Sequence, residues 1–341
     1  MNILGIETSC DETAVALVND QRQILGHKVL SQYLEHLPYG GVVPEIAARA
    51  HMDHLDQLIK AVMAEANLDF DQIDAIAVTA GPGLIGGVMV GVMMAKGLAY
   101  ALKKPLIGVN HLEGHALTVR LVEPVAFPYL LLLVSGGHCQ ILVVKGVGHY
   151  RLLGTTIDDA LGEAFDKVAK MLGLGYPGGP LVESLAAKGN GHAFALPRPL
   201  IQQPGCDFSF SGLKTAVKRL VDAQPSLNEA IRADICASFQ MVVGDIITNR
   251  ILNAMNQVKT EEIVLNRLVI AGGVAANRYL RSRLCDVAAT QGYEVVAPPL
   301  ALCTDNAAMI AWAGVERFKR GLTDSLELIP RARWPLAENN E

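Results

Sequence analysis

The sequence has few cysteines and nothing that resembles a disulfide framework. Its six cysteines are scattered along 341 residues without a C-x-x-C pair, which favours free thiols in a reducing cytoplasm. An excess of basic residues is also missing: the formal net charge is −5, so the overall composition does not indicate a nucleic-acid ligand. No secretory leader precedes the strand-like start at Ile3, and we expect a cytoplasmic protein.

Local basic clusters are present nonetheless. A polynucleotide partner would bind to such clusters, although a solvated helix face is the more common explanation for each. The clusters are Lys214, Lys218 and Arg219; Arg278, Arg281 and Arg283; and Arg317, Lys319 and Arg320.

Residues 75–95 carry no charged side chain and are long enough to suggest a membrane helix. Pro82 and the surrounding glycines favour instead a buried strand, a turn at residues 81–83, and a helix whose glycines allow close packing. The turn also spells G-x-G-x-x-G, but a dinucleotide-binding fold needs an acidic residue roughly twenty positions further on. No acidic residue stands between Asp74 and Glu113, so the sequence argues against a nicotinamide-dependent enzyme. Pro82 and the glycines argue against a membrane span.

The most informative short motif is H-L-E-G-H at residues 111–115. On a helix, residues four positions apart lie on the same face, so the two imidazoles can bind one metal ion. A helix is predicted to begin here because residues 105–109 read as a buried strand and Asn110 is a favourable N-cap. The alternative, a hydrogen-bonded pair of histidines on a helix surface, stays open at this point.

The chain repeats itself at low resolution. Each half opens with a predicted hairpin, at residues 3–18 and 129–144, and continues with strand, glycine turn, helix, strand and helix. In this correspondence the His111 helix matches the Asp305 helix. A helical insertion is predicted at about residues 157–258, between the two parts of the second half.

This plan is that of the actin-like fold of sugar kinases and the Hsp70 ATPase, an α/β fold with two duplicated lobes. We expect the first lobe at residues 1–125, the second lobe with its insertion at 126–325, and a tail at 326–341. The hairpin turn at residues 135–137 suits phosphate, because glycines let backbone N–H groups approach the oxygens; a plain turn is the alternative. His51 and His54 are expected to be solvated residues of a helix at 44–68.

Seven motifs follow one another along nearly the whole chain. They are G-I-E-T-S-C-D-E-T at 5–13, K-G at 96–97 followed by H-L-E-G-H at 111–115, L-V-S-G-G-H at 133–138, G-E-A-F-D-K at 162–167, D-F-S-F-S-G-L-K at 207–214, G-G-V-A-A-N at 272–277 and C-T-D-N-A-A at 303–308. Together they resemble the TsaD family, formerly labelled O-sialoglycoprotein endopeptidase. No fused kinase domain follows them, which indicates the bacterial type.

The resemblance implies a metal-dependent tRNA N6-adenosine threonylcarbamoyltransferase, an acyltransferase of tRNA modification. The donor would be threonylcarbamoyl-AMP, and the acceptor the N6 amine of the adenosine 3′ to the anticodon in tRNAs that read codons beginning with A. The product would be N6-threonylcarbamoyladenosine. A TsaB paralogue and a TsaE ATPase are implied as partners, and no membrane is.

The resemblance also implies one divalent metal ion held by His111, His115 and Asp305. Such a ligand set suits Fe(II) or Zn(II), and the family favours Fe(II). An exocyclic adenine nitrogen is a poor nucleophile and a carbamoyl carbon a poor electrophile, so a Lewis acid and fixed geometry should supply much of the rate. Asp11 or Glu12, in the first hairpin turn, would take the proton of the amine.

The implied donor site has several parts. Asp166 would accept hydrogen bonds from ribose hydroxyls, and Gly179 and Asn277 would flank the nucleoside. Glu183 belongs to the same site and stands where other members often have Asp, while Cys139 stands where Thr is usual. The phosphate and the threonylcarbamoyl end would be lined by Leu133, Val134, Ser135, Gly136 and Gly137.

Two other function classes stay open. An actin-like ATPase or kinase is the main alternative, although two histidines are unusual ligands for Mg²⁺, which prefers oxygen. A metallopeptidase fits less well, because the zincin motif needs Glu directly after the first histidine, where Leu112 stands.

Overall fold

Two five-stranded sheets form the framework of the computed structural model, which describes residues 1–39, 41–261 and 263–337. The strands are β1 (Asn2–Glu7), β2 (Glu12–Asn19), β3 (Ile24–Ser31), β4 (Ala75–Gly81), β5 (Leu106–Asn110), β6 (Tyr129–Val134), β7 (Cys139–Gly146), β8 (His149–Thr155), β9 (Arg267–Ala271) and β10 (Glu294–Val296). The α-helices are α1 (Tyr33–His36), α2 (Pro44–Ala66), α3 (Ile85–Leu102), α4 (His111–Val122), α5 (Leu161–Met171), α6 (Gly178–Ala186), α7 (Ser211–Asp222), α8 (Glu229–Thr260), α9 (Arg278–Thr290) and α10 (Ala307–Phe318).

The first sheet has the strand order β3-β2-β1-β4-β5. β1 and β2 form an antiparallel hairpin in which Glu7 faces Ala14, and β4 and β5 continue the sheet in parallel. β1, β2, β4 and β5 are almost entirely buried, as expected for apolar strands covered by helices. The covering helices are α2, α3 and α10.

The second sheet repeats this topology. Its order is β10-β9-β6-β7-β8, where β6 and β7 form the antiparallel hairpin and β9 and β10 pair in parallel. The two predicted hairpins and the internal duplication are therefore confirmed. Each sheet also has an edge strand, β3 or β8, that follows its hairpin along the chain and was not predicted from the sequence.

A set of helices lies between β8 and β9 along the chain, as the predicted insertion requires. The longest, α8, begins where Asn228 Oδ1 accepts a hydrogen bond from the Ile231 backbone N–H at 2.9 Å. The core beneath these helices contains Phe165 and Phe239, whose rings meet edge to face at 5.1 Å.

The chain divides into two units, and the division differs from the predicted lobe boundary. The first unit comprises Met1–Val125, Val147–His149 and the segment from Thr304 onward; the second comprises Ala126–Gly146 and Tyr150–Cys303. The prediction placed residues up to 325 in the second lobe, but α10 packs on β1, β2 and β4 of the first sheet. Gly5 permits this contact, since a Cβ there would come within 2.5 Å of the Ala311 backbone nitrogen.

Helix α3 is long and apolar enough to cross a membrane by length and composition. In the first unit it packs on β4 and α2. Its glycines serve close packing, as predicted, because a Cβ on Gly87 or Gly91 would overlap Thr8. The turn before α3 is a strand-to-helix junction, where Gly81 adopts a φ of 139°.

The expectation that His51 is solvated is wrong. The residue lies in α2 and is fully buried, and its ring nitrogens contact Thr13, Gln32 and the Cys10 carbonyl oxygen. Burial is possible because both ring nitrogens have polar partners: Thr13 of β2 and Gln32 before α1 contact Nδ1, and the Cys10 carbonyl between β1 and β2 accepts from Nε2. His54, one turn further along α2, is half-buried.

Candidate active site

The predicted metal-binding helix begins at the predicted residue. α4 starts at His111, and Asn110 caps it by accepting a hydrogen bond from the Leu112 backbone N–H at 2.9 Å. His111 and His115 are both buried and lie one turn apart. The helical spacing therefore directs both imidazoles to the same place.

Asp305 completes this group in the first unit. It precedes Asn306, the N-cap of α10. Asp305 Oδ1 lies 3.0 Å from His115 Nε2 and 3.5 Å from His111 Nε2, and the three ligand atoms all lie within 4.8 Å of one another. Gly114 allows α4 to approach α10 closely, because a Cβ there would come 2.8 Å from Ile310 Cδ1.

Glu7 orients His111, a role that the sequence analysis missed. Its Oε2 lies 3.0 Å from His111 Nδ1, and its Oε1 accepts the Ser9 backbone N–H at 2.6 Å. A carboxylate only accepts hydrogen bonds, so Nδ1 carries the proton and Nε2 is left to face Asp305. An imidazole held in this way by a carboxylate is typical of metal ligands. The available signal was one acidic residue at the end of β1, directly after the apolar run at residues 3–6.

The electrostatics of the group favour a cation. Burial alone would lower the pKa of His111, but the carboxylates of Asp305 and Glu7 raise it well above its usual value. Burial alone would raise the pKa of Asp305, but His111 and His115 bring it well below its usual value. Two imidazole nitrogens and a carboxylate oxygen that converge among further acidic groups fit a divalent transition-metal ion.

Asp11 lies in the turn between β1 and β2, and Glu12 is the first residue of β2, directly after that turn. Burial raises the pKa of Glu12 well above its usual value, and the charges of Asp305 and Asp11 add to the effect. Glu12 is therefore close enough to the histidine-aspartate group to sense its charge. The turn is held by the Asp11 carbonyl, which accepts the Gln32 backbone N–H at 2.9 Å, and by the Ser9 carbonyl, which accepts that of Leu84 at 2.7 Å.

The second unit holds the predicted donor residues, beginning with the turn after β6. Gly136 and Gly137 are exposed there, whereas Leu133 and Val134 are buried, so a ligand would meet the backbone rather than the side chains of the latter pair. The Ser135 carbonyl accepts the Gly162 N–H at 3.3 Å. Gly162 makes this approach possible, because a Cβ there would come 2.8 Å from Gly136 Cα.

Asp166 lies on α5, beside the start of α6. Its Oδ1 accepts the Gly178 backbone N–H at 2.7 Å, next to Gly179. Gly178 needs to be glycine here, since a Cβ would come 2.7 Å from Asp166 Cα. The contact brings two parts of the predicted donor site together.

Glu183 and Asn277 both accept hydrogen bonds from backbone N–H groups at the start of α9. Glu183 Oε1 accepts the Arg278 N–H at 2.8 Å, and Asn277 Oδ1 caps the helix by accepting the Leu280 N–H at 3.0 Å. The Asn277 amide also donates to Gln240 Oε1 at 2.9 Å. Both side chains therefore hold local structure, and their contact with a nucleoside stays a prediction.

The basic clusters are less positive than the sequence indicates, because most of their members pair with acids of the same unit. Five of these ion pairs are Lys214–Asp159, Lys218–Asp222, Arg283–Asp245, Arg317–Glu113 and Arg320–Glu316.

The fold and the site together define an actin-like α/β protein with a candidate metal centre in its first unit. The structure is similar to component A of (R)-2-hydroxyglutaryl-CoA dehydratase from Acidaminococcus fermentans, with a TM-score of 0.56, 15% identity, and coverage of 94% of this chain and 98% of that one. It is also similar to T. kodakarensis HypF, with a TM-score of 0.60, 15% identity, and coverage of 94% and 48%. These similarities concern the fold alone, and they confirm the predicted actin-like class.

The sequence comparisons identify the family. The sequence model of TsaD, described as tRNA N6-adenosine threonylcarbamoyltransferase, matches residues 23–312. A tRNA N6-adenosine threonylcarbamoyltransferase of Rhodospirillum rubrum is 60% identical over 98% of this chain and 94% of its own length. One of Paramagnetospirillum magneticum is 58% identical over 98% and 97%. The chain belongs to the TsaD family of tRNA N6-adenosine threonylcarbamoyltransferases.

Proposed function

We propose that this chain transfers the threonylcarbamoyl group from threonylcarbamoyl-AMP to the N6 amine of the adenosine 3′ to the anticodon, in tRNAs that read codons beginning with A. The single observation that carries the proposal is the convergence of His111, His115 and Asp305 beside the Asp11–Glu12 turn, in a member of this family. We infer that the reaction takes place in the cytoplasm.

His111, His115 and Asp305 would hold one divalent metal ion, Fe(II) in preference to Zn(II). When bound, the ion would supply Lewis-acid polarisation of the carbamoyl group. Glu7 fixes the His111 ring by accepting its Nδ1 proton, which leaves Nε2 free as a ligand.

Glu12 or Asp11 would take the proton from the attacking amine. The amine nitrogen forms a bond to the carbamoyl carbon, the bond from that carbon to the AMP phosphate oxygen breaks, and AMP leaves with the electron pair. Burial and neighbouring negative charges raise the pKa of Glu12, which makes its carboxylate a stronger base than an exposed glutamate.

The donor would lie on the second unit. The exposed N–H groups of Gly136 and Gly137 would bind its phosphate, and Asp166 would accept ribose hydroxyls. Gly179, Glu183 and Asn277 would border the nucleoside. This assignment predicts that loss of Asp166 weakens the donor without loss of the metal.

The reaction is proposed to require partner proteins. A TsaB paralogue and a TsaE ATPase would act with this chain, and tRNA would bind through surface shared with them. The pairing of Lys214, Arg283 and Arg317 with internal acids supports this, because these cations are partly neutralised within the chain.

The test is to replace His111, His115 and Asp305 with alanine, singly and together, and to measure metal content and activity on unmodified tRNA after anaerobic purification. Each variant should lose metal and transfer but retain a cooperative melt. His54→Ala, a half-buried histidine of the same unit, is the matched control. Stoichiometric metal in the triple variant would show that the site is elsewhere, and ATP consumption without tRNA would favour a kinase or ATPase.

A further inference from the structure

A line of hydrogen bonds runs through the interior of the first unit and ends beside the candidate base. Four groups follow one another: the Val43 backbone N–H, the His36 ring, the Gln32 side-chain amide and the His51 ring. The last of them contacts the Cys10 carbonyl oxygen, the residue before Asp11 and Glu12. None of the residues in this line was assigned a role by the sequence or by the proposed reaction.

The donor and the acceptor in each of these hydrogen bonds follow from the groups at the two ends of the line. The Val43 N–H can only donate, so His36 Nδ1, at 3.2 Å, accepts and the His36 proton lies on Nε2. His36 Nε2 then donates to Gln32 Oε1 at 3.1 Å, and this fixes the amide with its NH₂ group toward His51 Nδ1 at 3.2 Å.

The other end requires the same assignment independently. The Cys10 carbonyl can only accept, so His51 Nε2, at 3.1 Å, carries the proton and Nδ1 accepts. Thr13 agrees, because its hydroxyl lies 2.8 Å from His51 Nδ1 and can donate to it while it accepts a hydrogen bond from the Gln32 amide at 3.3 Å. Both imidazoles are therefore neutral, with the proton on Nε2.

Packing holds the last member of the line in place. The side chains of Gln32 and His51 are fully buried, and that of His36 is nearly so. Gly87 of α3 leaves the space for the His51 ring, since a Cβ there would come 3.0 Å from His51 Nε2. Gln32 acts twice, because its backbone N–H also donates to the Asp11 carbonyl at 2.9 Å.

We propose that His51 is a positioning residue for the transfer reaction, and that Gln32 and His36 fix its tautomer so that it holds the Cys10 carbonyl and thereby the Asp11–Glu12 turn. His51 touches neither metal ligand nor substrate in this assignment; it acts through the turn. The inference rests on the proposed function, in which Asp11 or Glu12 takes the amine proton.

The experiment is a double-variant cycle on the full-length, metal-loaded protein with the partners that turnover requires. His51→Leu should lower kcat between about tenfold and a hundredfold, as expected when a reacting group moves by about 1 Å. The KM for threonylcarbamoyl-AMP and the metal content should stay within about twofold, because neither site contacts His51. His51→Gln, whose amide can still donate to the Cys10 carbonyl, should recover part of the lost kcat. His54→Leu on the same helix is the control.

The cycle separates positioning from general destabilisation. If His51 acts through the turn, its effect on kcat should largely disappear when Asp11→Asn and Glu12→Gln are already present, because groups that act as a unit are non-additive. An equal further loss in that background would overturn the inference, and so would an unchanged kcat in His51→Leu. If the Asp11 and Glu12 variants themselves keep full kcat, neither residue takes the amine proton, and that part of the proposed function is wrong.

A second variant guards against misfolding of His51→Leu. Gln32→Glu keeps the shape of the side chain but presents an acceptor to His51 Nδ1, which must then carry a proton. With a carboxylate beside Nδ1 the ring takes up a second proton or moves its proton from Nε2, and Gln32→Met, which keeps the length of the side chain but removes the amide between His36 and His51, is therefore made alongside it. A fall in kcat at unchanged KM in Gln32→Met supports the inference, and full kcat in a folded Gln32→Met protein would overturn it.

Discussion

The carboxylate of Glu7 should control metal affinity although it is not itself a candidate ligand. Glu7→Gln is the sharpest perturbation, because the amide has the shape of the carboxylate and its carbonyl oxygen can still accept the His111 Nδ1 proton. What is lost is one negative charge, 3.0 Å from His111 Nδ1, in a site where both side chains are buried.

The magnitude follows from the contacts. A hydrogen bond to a charged group contributes about 1.5–3 kcal/mol. Partners behind a metal ligand typically change affinity about tenfold to a hundredfold, which corresponds to about 1.4–2.7 kcal/mol. The amide also places an NH₂ group against either the Ser9 N–H or the Thr79 hydroxyl, both of which donate to the carboxylate now. We therefore expect the metal dissociation constant to rise toward the upper end of that range.

Competition with a chelator of known affinity, under anaerobic conditions, measures the change directly. Thr79→Val is the matched control, because it removes one hydrogen bond to the same carboxylate and leaves the charge, so its effect should be clearly smaller. A Glu7→Gln protein that melts like the wild type and binds metal within twofold of it would refute the orienting role.

Asp166→Asn should weaken a non-hydrolysable threonylcarbamoyl-adenylate analogue about tenfold to a hundredfold, since a carboxylate that accepts hydroxyls makes charge-assisted bonds; calorimetry tests this, and metal content should not change. The assembled complex should bind tRNA more weakly as the salt concentration rises, with the logarithm of the binding constant falling by about 0.7 to 0.9 per phosphate neutralised for each tenfold increase in salt. Titrations at several salt concentrations measure this slope, and a slope of zero would contradict binding through phosphates. Burial lowers the pKa of His51 below 6.5, so the unfolded chain binds a proton there that the folded chain does not, and stability should fall as the pH drops below about 6.5. Melting temperatures between pH 7.5 and 5 should therefore show a shallower decline in His51→Gln than in the wild type.

Local signals in the sequence were sufficient for α4 and for both hairpins. The N-cap at Asn110, the apolar run before it and the four-residue spacing of His111 and His115 are all short-range features, and each decides a structure within one or two turns. The resemblance to the family added Asp305, which no spacing would have connected to a helix so far away along the chain.

Long-range packing decided what the sequence did not predict. Glu7 becomes an orienting group only because β1 ends beside α4, and His51 becomes buried only because Thr13 and Gln32 arrive from other elements. A histidine on an amphipathic helix has no local mark that separates a solvated position from a satisfied interior one. The same limit explains why α10 was predicted to belong to the second lobe, since the apolar face of this helix could pack on either sheet as far as its sequence pattern shows.

The attachment of α10 to the first sheet has a consequence for how the protein is made. Synthesis delivers residues in order, and Asp305 follows His115 by 190 positions, with the whole second unit between them. A nascent N-terminal unit on the ribosome therefore carries two histidines without their carboxylate, and a sheet whose α10 side has no helix to cover it. A chain that ends before α10 exposes apolar strands to aggregation and chaperone capture, and the proposed metal site would be complete only after Asp305 has been synthesised.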